Sequence, residues 1–254
     1  MTVFKKGFKN WGKYLLAIFI LFVGWWFLAL AVDHNALPTP NHAFLGFLKG
    51  LKNDLLIHLG VSLYRVIVSL SIALLMAVPL GLLLGKNKNL DTYIAPIIYL
   101  TYPIPKVVFM PIFFVLLGIG DLSKILLITL IVFFQILVTT RDAARNLEKE
   151  YVLSVQSLGA AGWNLYTHVY FPGTLPEILT SLRLGLGTAM AILFLTETYA
   201  TRQGVGYYIM DSLSKMAYID MFAGIIAMSL MGFTLYLLID GLEKKVCLWK
   251  SLSK

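Results

Sequence analysis

From Tyr14 to Val32 the chain carries no charged side chain, and five more long apolar stretches follow it. A helix needs about 20 mostly apolar residues to cross the hydrocarbon core of a bilayer, so each stretch is long enough to span or nearly span it. The second runs about 59–84 with Arg65 near its start. The third runs about 93–117 and is interrupted by Pro103, Pro105 and Pro111, with Lys106 among them. The fourth covers 125–140, the fifth about 175–196 with Glu177 and Arg183 near its start, and the sixth 221–239. Barrel strands would be about ten residues long and alternate in polarity. These runs are longer and apolar on all sides, which predicts an all-α integral membrane protein of about six transmembrane helices. Only 13% of the 254 residues are charged, against about 25% in soluble domains. Too few charges remain to coat a water-soluble globule, and most of the chain is committed to the membrane.

The 21 basic residues sort by position. Thirteen fall on one side of the predicted membrane: Lys5, Lys6, Lys9, Lys13, Lys86, Lys88, Arg141, Arg145, Lys149, Lys244, Lys245, Lys250 and Lys254. Five fall on the other: Lys49, Lys52, Lys124, Arg202 and Lys215. Lys and Arg are retained on the cytoplasmic side, so both termini are expected there. The net charge of +8 therefore reads as a topology signal and not as a nucleic-acid footprint. The first stretch, with its basic start and Ala29-Leu30-Ala31, also has the outline of a signal peptide. Its length, and Trp25, Trp26 and Phe27 at belt positions, favour a retained anchor. Cleavage would leave five helices.

Enzyme signatures fail on spacing. Gly81-Leu-Leu-Leu-Gly85-Lys86-Asn87 places its glycines one residue too close for a phosphate loop and lacks the Ser/Thr that holds magnesium. Four-residue spacing of small residues instead suits a close helix crossing. Gly118-Ile-Gly120-Asp121 has the short G-x-G-D pattern of an intramembrane aspartyl protease, but no second buried Asp precedes it, and a Gly-Asp turn is the simpler reading. The four histidines are scattered, and the lone Cys247 excludes an intramolecular disulfide or a cysteine metal cluster.

Charges inside membrane segments are costly and mark functional candidates. Arg65 and Arg183 lie near segment ends, where they can pair or snorkel. Glu197, flanked by Thr196 and Thr198, can line a path or pair with a base. Pro103, Pro105 and Lys106 form a break of the kind tolerated where backbone lines a cavity or packs in protein. Arg65, Pro103, Pro105, Lys106, Arg183 and Glu197 are thus candidates for a translocation path.

The longest polar stretch, about 141–168, reads as a mixed-charge helix over 141–150 and a short amphipathic helix over 153–163 limited by Gly159 and Gly162. Pro176 suits the first turn of the next helix. Gly159, followed by Val169-x-Phe171-Pro172, resembles the cytoplasmic loop of ABC importer permeases, whose pattern is E-A-A-x-x-x-G, nine residues, then I-x-L-P. Leu153, Ser154 and Val155 occupy the E-A-A positions. Further resemblance lies in Ser62-Leu63-x-Arg65-Val66, Pro79 to Gly85, Pro103-Ile-Pro105-Lys106, Gly118-Ile-Gly120, Ser157-Leu158-Gly159-Ala160, Leu175-Pro176-Glu177, Glu197 and Gly204-Val-Gly206. The subfamily it is most similar to handles nitrate, sulfonate, taurine or bicarbonate, with members for pyrimidine and thiamine precursors.

The resemblance implies a type I importer permease core over 59–241, with an anchor helix and linker over 1–58 and a basic tail over 242–254. It implies a bacterial or archaeal inner membrane, a homodimeric path, two separate ATPase subunits that hold ATP and Mg, and an extracytoplasmic binding protein. It implies no cofactor, nucleic acid or catalytic residue for this chain. The cytoplasmic loop 141–172 would carry the coupling helix, with Leu153, Ser157, Leu158, Gly159, Ala160, Gly162, Trp163 and Pro172 facing the ATPase. The other readings open at this stage are a secondary transporter or channel and, on Asp121 alone, a protease.

Overall fold

The computed structural model describes residues 3–32, 36–199 and 201–251, with side chains from residue 16 to 249 of these. Lys254 lies outside them, as do the side chains of Lys5, Lys6, Lys9, Lys13 and Lys250. Helices account for nearly all of the described chain. They are α1 (Val3–Val32), α2 (Pro40–Lys52), α3 (Leu55–Lys86), α4 (Lys88–Thr101), α5 (Met110–Leu117), α6 (Asp121–Arg145), α7 (Lys149–Ser157), α8 (Trp163–Thr198), α9 (Val205–Ser214) and α10 (Tyr218–Val246).

Helices α3, α6, α8 and α10 are each long and apolar enough to cross a membrane. Helices α4 and α5 pass the same test only together, bent by 79° at the proline break. With the apolar stretch of α1, Leu16–Val32, these make the six expected segments. Ends differ from the expectation wherever polar residues continue a helix past its apolar run. Helix α3 begins at Leu55, ahead of the boundary at 59, and α10 continues past 242 to Val246. The expected polar helix over 141–150 does not form as one unit. Residues 141–145 complete α6, and Lys149 and Glu150 open α7, because Arg141 turns inward to a carboxylate instead of facing water. Pro176 lies well inside α8, not at its start. A π-turn at Tyr166–Tyr170 precedes the prolines, and Thr174 Oγ1 donates to the Tyr170 carbonyl at 2.8 Å. π-turns of this kind occur as single-turn bulges inside α-helices, and this one lies just ahead of Pro172 and Pro176.

One core runs through the bundle. Val66, Leu70, Ala73 and Ala77 of α3 meet Ile128, Val132 and Ile136 of α6, with Leu182, Leu186, Ala189 and Leu193 of α8 and Met231 of α10. Helices α3 and α6 cross closely at Gly81 and Gly85. A Cβ on Gly81 would lie 2.7 Å from the Thr140 Cβ, and one on Gly85 would lie 2.5 Å from the Ala144 Cβ. The four-residue glycine spacing is therefore used for backbone approach. A smaller core of Phe47, Leu55, Val205, Ile209, Ala223 and Ala227 joins α2, α9 and α10 at one end. Trp25 of α1 stacks on Phe222 of α10 at 5.6 Å.

Candidate functional site

Three places in the bundle hold the polar chemistry. The first is a buried network at the end that carries α2 and α9. Arg65 of α3 is 2% exposed and Glu197 of α8 is fully buried. The Arg65 guanidinium donates to Glu197 at 2.7 Å and to Asp121, at the start of α6, at 2.6 and 2.8 Å. Glu197 also accepts from Ser62 Oγ at 2.8 Å and from the Gly206 amide at 2.9 Å. Ser62 Oγ in turn accepts from the Val205 amide at 2.8 Å, and His58 Nδ1 accepts from Gly204 N at 3.1 Å. Gly204 has φ +115°, and a Cβ there would run into the Glu197 carboxyl group. Arg65 thus corrects the snorkelling expectation, because two carboxylates hold it inside the protein. An arginine lies between Asp121 and Glu197, so they do not form the proton-sharing pair that a protease needs. Ser62, His58 and the buried Lys124 were not singled out in the sequence. Their polarity is ordinary for helix ends, and only the fold brings them together.

The second place is the opposite end. Arg141 is 1% exposed and holds Asp91 of α4 through two hydrogen bonds, from Nε and, at 2.7 Å, from Nη2. Arg145 approaches the same carboxylate at 3.4 Å, and Arg141 reaches Asp142 at 3.2 Å. Arg183 pairs with Glu243 and Asp240 of α10. Asp91 had no mark in the sequence beyond being a lone acid at the start of an apolar run.

At this end α7 and the turn after it project from the bundle. No residue of α7 is buried. The helix closes in a Schellman cap. Gly159, at φ +88°, donates to Gln156 O at 2.9 Å, and Ala160 N donates to Val155 O at 3.2 Å. Gly162, at φ +55°, turns the chain into α8. The amphipathic helix expected over 153–163 is thus a helix over 149–157, a glycine turn and the start of the next helix. Leu158, Gly159, Ala160 and Gly162 lie in the turn, and Trp163 opens α8. Leu158 is 85% exposed and Trp163 75% exposed, while Ser157 donates back to Ser154 O. Lys86 fixes the base of the turn, with Nζ 3.4 Å from Gly162 O and 4.0 Å above the Tyr166 ring. Pro172 is the second residue of the regular part of α8, Phe171–Thr198.

The third place is the proline break. Beyond Thr101 the chain passes Pro103 and Pro105 into a single 3-10 turn, Lys106–Phe109, and then α5. Lys106 Nζ donates to the carbonyls of Thr101 at 3.1 Å, Tyr102 at 3.0 Å and Ile104 at 3.4 Å. It sits 4.4 Å from the centre of the Phe134 ring. These groups wall a cavity of about 310 Å³ that also includes Val107, Ile131, Gln135 and Ile192.

Residues 77–246 match the family described as binding-protein-dependent transport system inner membrane component. The taurine transport system permease protein TauC of Escherichia coli is 30% identical over 91% of this chain and 86% of its own length. The putative aliphatic sulfonates transport permease protein SsuC of Bacillus subtilis is 29% identical over 97% of this chain and 91% of its own. The formylaminopyrimidine transport permease protein ThiX of Halalkalibacterium halodurans is 25% identical over 84% and 86%. Among solved structures, a chain of the MetNI methionine ABC transporter in an inward-facing conformation superposes with a TM-score of 0.65 at 18% identity, covering 76% of this chain and 96% of that one. That likeness extends the shared fold to a solved transporter chain. With a family match over most of its length and a relative at this identity, the chain belongs to the binding-protein-dependent inner membrane components, the permease subunits of ABC importers.

Proposed function

We propose that two copies of this chain face each other to form one path, with two ATP-binding cassette subunits docked beneath them and an extracytoplasmic binding protein delivering the solute above. ATP and Mg belong to the ATPases. This chain supplies no cofactor site and acts as a passage. Both termini and the α7 end are cytoplasmic, in agreement with the positive-charge count. Membrane lipid surrounds the outer faces.

The observation that carries this reading is the projecting α7 with its glycine turn. A nine-residue helix with no buried residue is far too short to persist on its own propensity. Leu153, Leu158 and Trp163 are all mostly exposed in the protomer, and a groove on an ATPase would bury them. Leu153, Ser157, Leu158, Gly159, Ala160, Gly162 and Trp163 are the coupling residues on this reading, with Pro172 setting the start of regular α8 behind them. Pro103, Pro105 and Lys106 line the path, while Arg65, Arg183 and Glu197 hold its helices at the two ends. The transported solute belongs to the class handled by the relatives: small anions such as nitrate, sulfonates, taurine or bicarbonate, or a thiamine or pyrimidine precursor.

The test is co-purification. Gly159→Asp forces a side chain onto a positive-φ residue, and Leu158→Asp charges the apex of the turn without touching the bundle. Both variants are expected to reach the membrane at normal levels yet retain less than about a tenth of the co-expressed ATPase, since each removes a contact of the size that dominates interfaces. Normal ATPase capture and normal uptake in both would sink the coupling assignment.

A further inference from the structure

Most charges inside this protein gather in groups. Arg65 is paired with Asp121 and Glu197, and the buried Lys124, which donates to the Gly120 carbonyl at 3.2 Å, shares their corner of the bundle. Arg141 and Arg145 are matched by Asp91 and Asp142. Arg183 and Lys244 are matched by Asp240 and Glu243. Lys106 is the cation in the path region for which no carboxylate of the described residues stands within salt-bridge distance. Its three protons are taken up by the carbonyls of Thr101, Tyr102 and Ile104. Carbonyl dipoles satisfy the protons but leave a full unit of positive charge. Lys106 is half-buried, and its charge stands beside the cavity without a counter-charge; inside a membrane such a charge marks a functional candidate.

The surroundings fit a small anion. The cavity of about 310 Å³ beside Lys106 falls at the lower end of the range for small-molecule sites, roughly 300–1,000 Å³. Its walls are mostly apolar, with Phe134 and Tyr102 near the ammonium. Gln135 of α6, on the same wall, donates to Thr188 Oγ1 of α8 at 3.1 Å.

We propose that the cavity between the proline break and α6 is the anion-binding subsite of the path, with Lys106 as the charge that selects a sulfonate, carboxylate or inorganic oxyanion. This rests on the permease reading above and deepens it. Of the six path candidates it separates Lys106, whose charge is free for a solute, from Arg65, Arg183 and Glu197, whose charges are spent inside the protein.

The experiment uses proteoliposomes that hold the complete transporter, with radiolabelled nitrate, ethanesulfonate, taurine and the neutral formylaminopyrimidine as probes. Wild type is expected to take up at least one of the three charged probes with ATP. Lys106→Gln should lower that uptake about tenfold or more, with ATPase co-purification within twofold of wild type. Lys106→Arg should keep at least a third of it. Ile104→Glu leaves the lysine and its carbonyl contacts in place but brings a carboxylate to the same wall, so it should lose uptake to the same degree. Uptake within twofold of wild type in either Lys106→Gln or Ile104→Glu overturns the subsite. So does a wild type that carries none of the charged probes while its ATPase co-purifies, an outcome that leaves the permease reading intact. Failure of wild type to capture any ATPase strikes the permease reading itself.

Discussion

Glu197 is a carboxylate with no access to water that survives because Arg65, Ser62 and the Gly206 amide all donate to it. Breaking one side of a buried ion pair leaves the other charge uncompensated, which costs about 3–5 kcal/mol. Glu197→Ala is therefore expected to lower the thermal unfolding midpoint of the detergent-solubilised protein far more than Glu243→Ala, whose partner Arg183 is partly exposed and keeps Asp240. Equal shifts would refute the ranking. Gly204→Ala should be severe for a separate reason: a positive φ and a Cβ that meets the same carboxyl group. Arg65 and Glu197 stood out in the sequence because charge in an apolar run is expensive. Their pairing did not, since 132 positions separate them and no local spacing joins them. Asp91 was hidden for the same reason.

Helix crossings were more legible than helix ends. The small residues Gly81 and Gly85 marked the α3–α6 contact, because only a missing side chain allows that approach. Gly85→Leu is expected to destabilise the folded permease by more than the roughly 1–3 kcal/mol typical of overpacking, because backbone and not a flexible side chain stands opposite: the Arg141 carbonyl and the Arg145 amide as well as Ala144. A loss in detergent thermostability no larger than that of Gly60→Leu, where open space surrounds the glycine, would contradict this. Ends escaped the sequence because polarity there does not mean solvent. Residues 141–145 look like the start of a separate polar helix, yet Arg141 points to Asp91 and they form the last turn of α6. Pro176 looked like a helix start because the π-turn ahead of the prolines leaves no compositional trace.

At the scale of the molecule, the two ends differ in kind. One is sealed by a balanced polar network and a second small core, and the other exposes a helix and a turn. Sidedness can be read directly with a membrane-impermeant maleimide in a Cys247→Ser background, Cys247 being buried and the lone cysteine. Leu158→Cys is expected to react only in inverted vesicles, and Met216→Cys, in the α9–α10 turn, only in intact cells. The reverse pattern would invert the orientation. The apolar segments were legible from apolar length, because the bilayer imposes it.

Helix α8 runs 36 residues with one π-turn near its start, roughly 54 Å at the α-helical rise, almost twice the ~30 Å hydrocarbon thickness. Its first residue, Trp163, ends the exposed turn, and its last turn carries Glu197. A stiff rod pinned at mid-length by neighbours cannot shorten, so it can only tilt. When it tilts, its ends swing in opposite directions. A push on the turn at one end is thereby a pull on the Arg65–Glu197 clasp at the other, with the compliance confined to the π-turn and prolines near the point where the push arrives. Lever mechanics of this kind need no relay of side-chain rearrangements through the core.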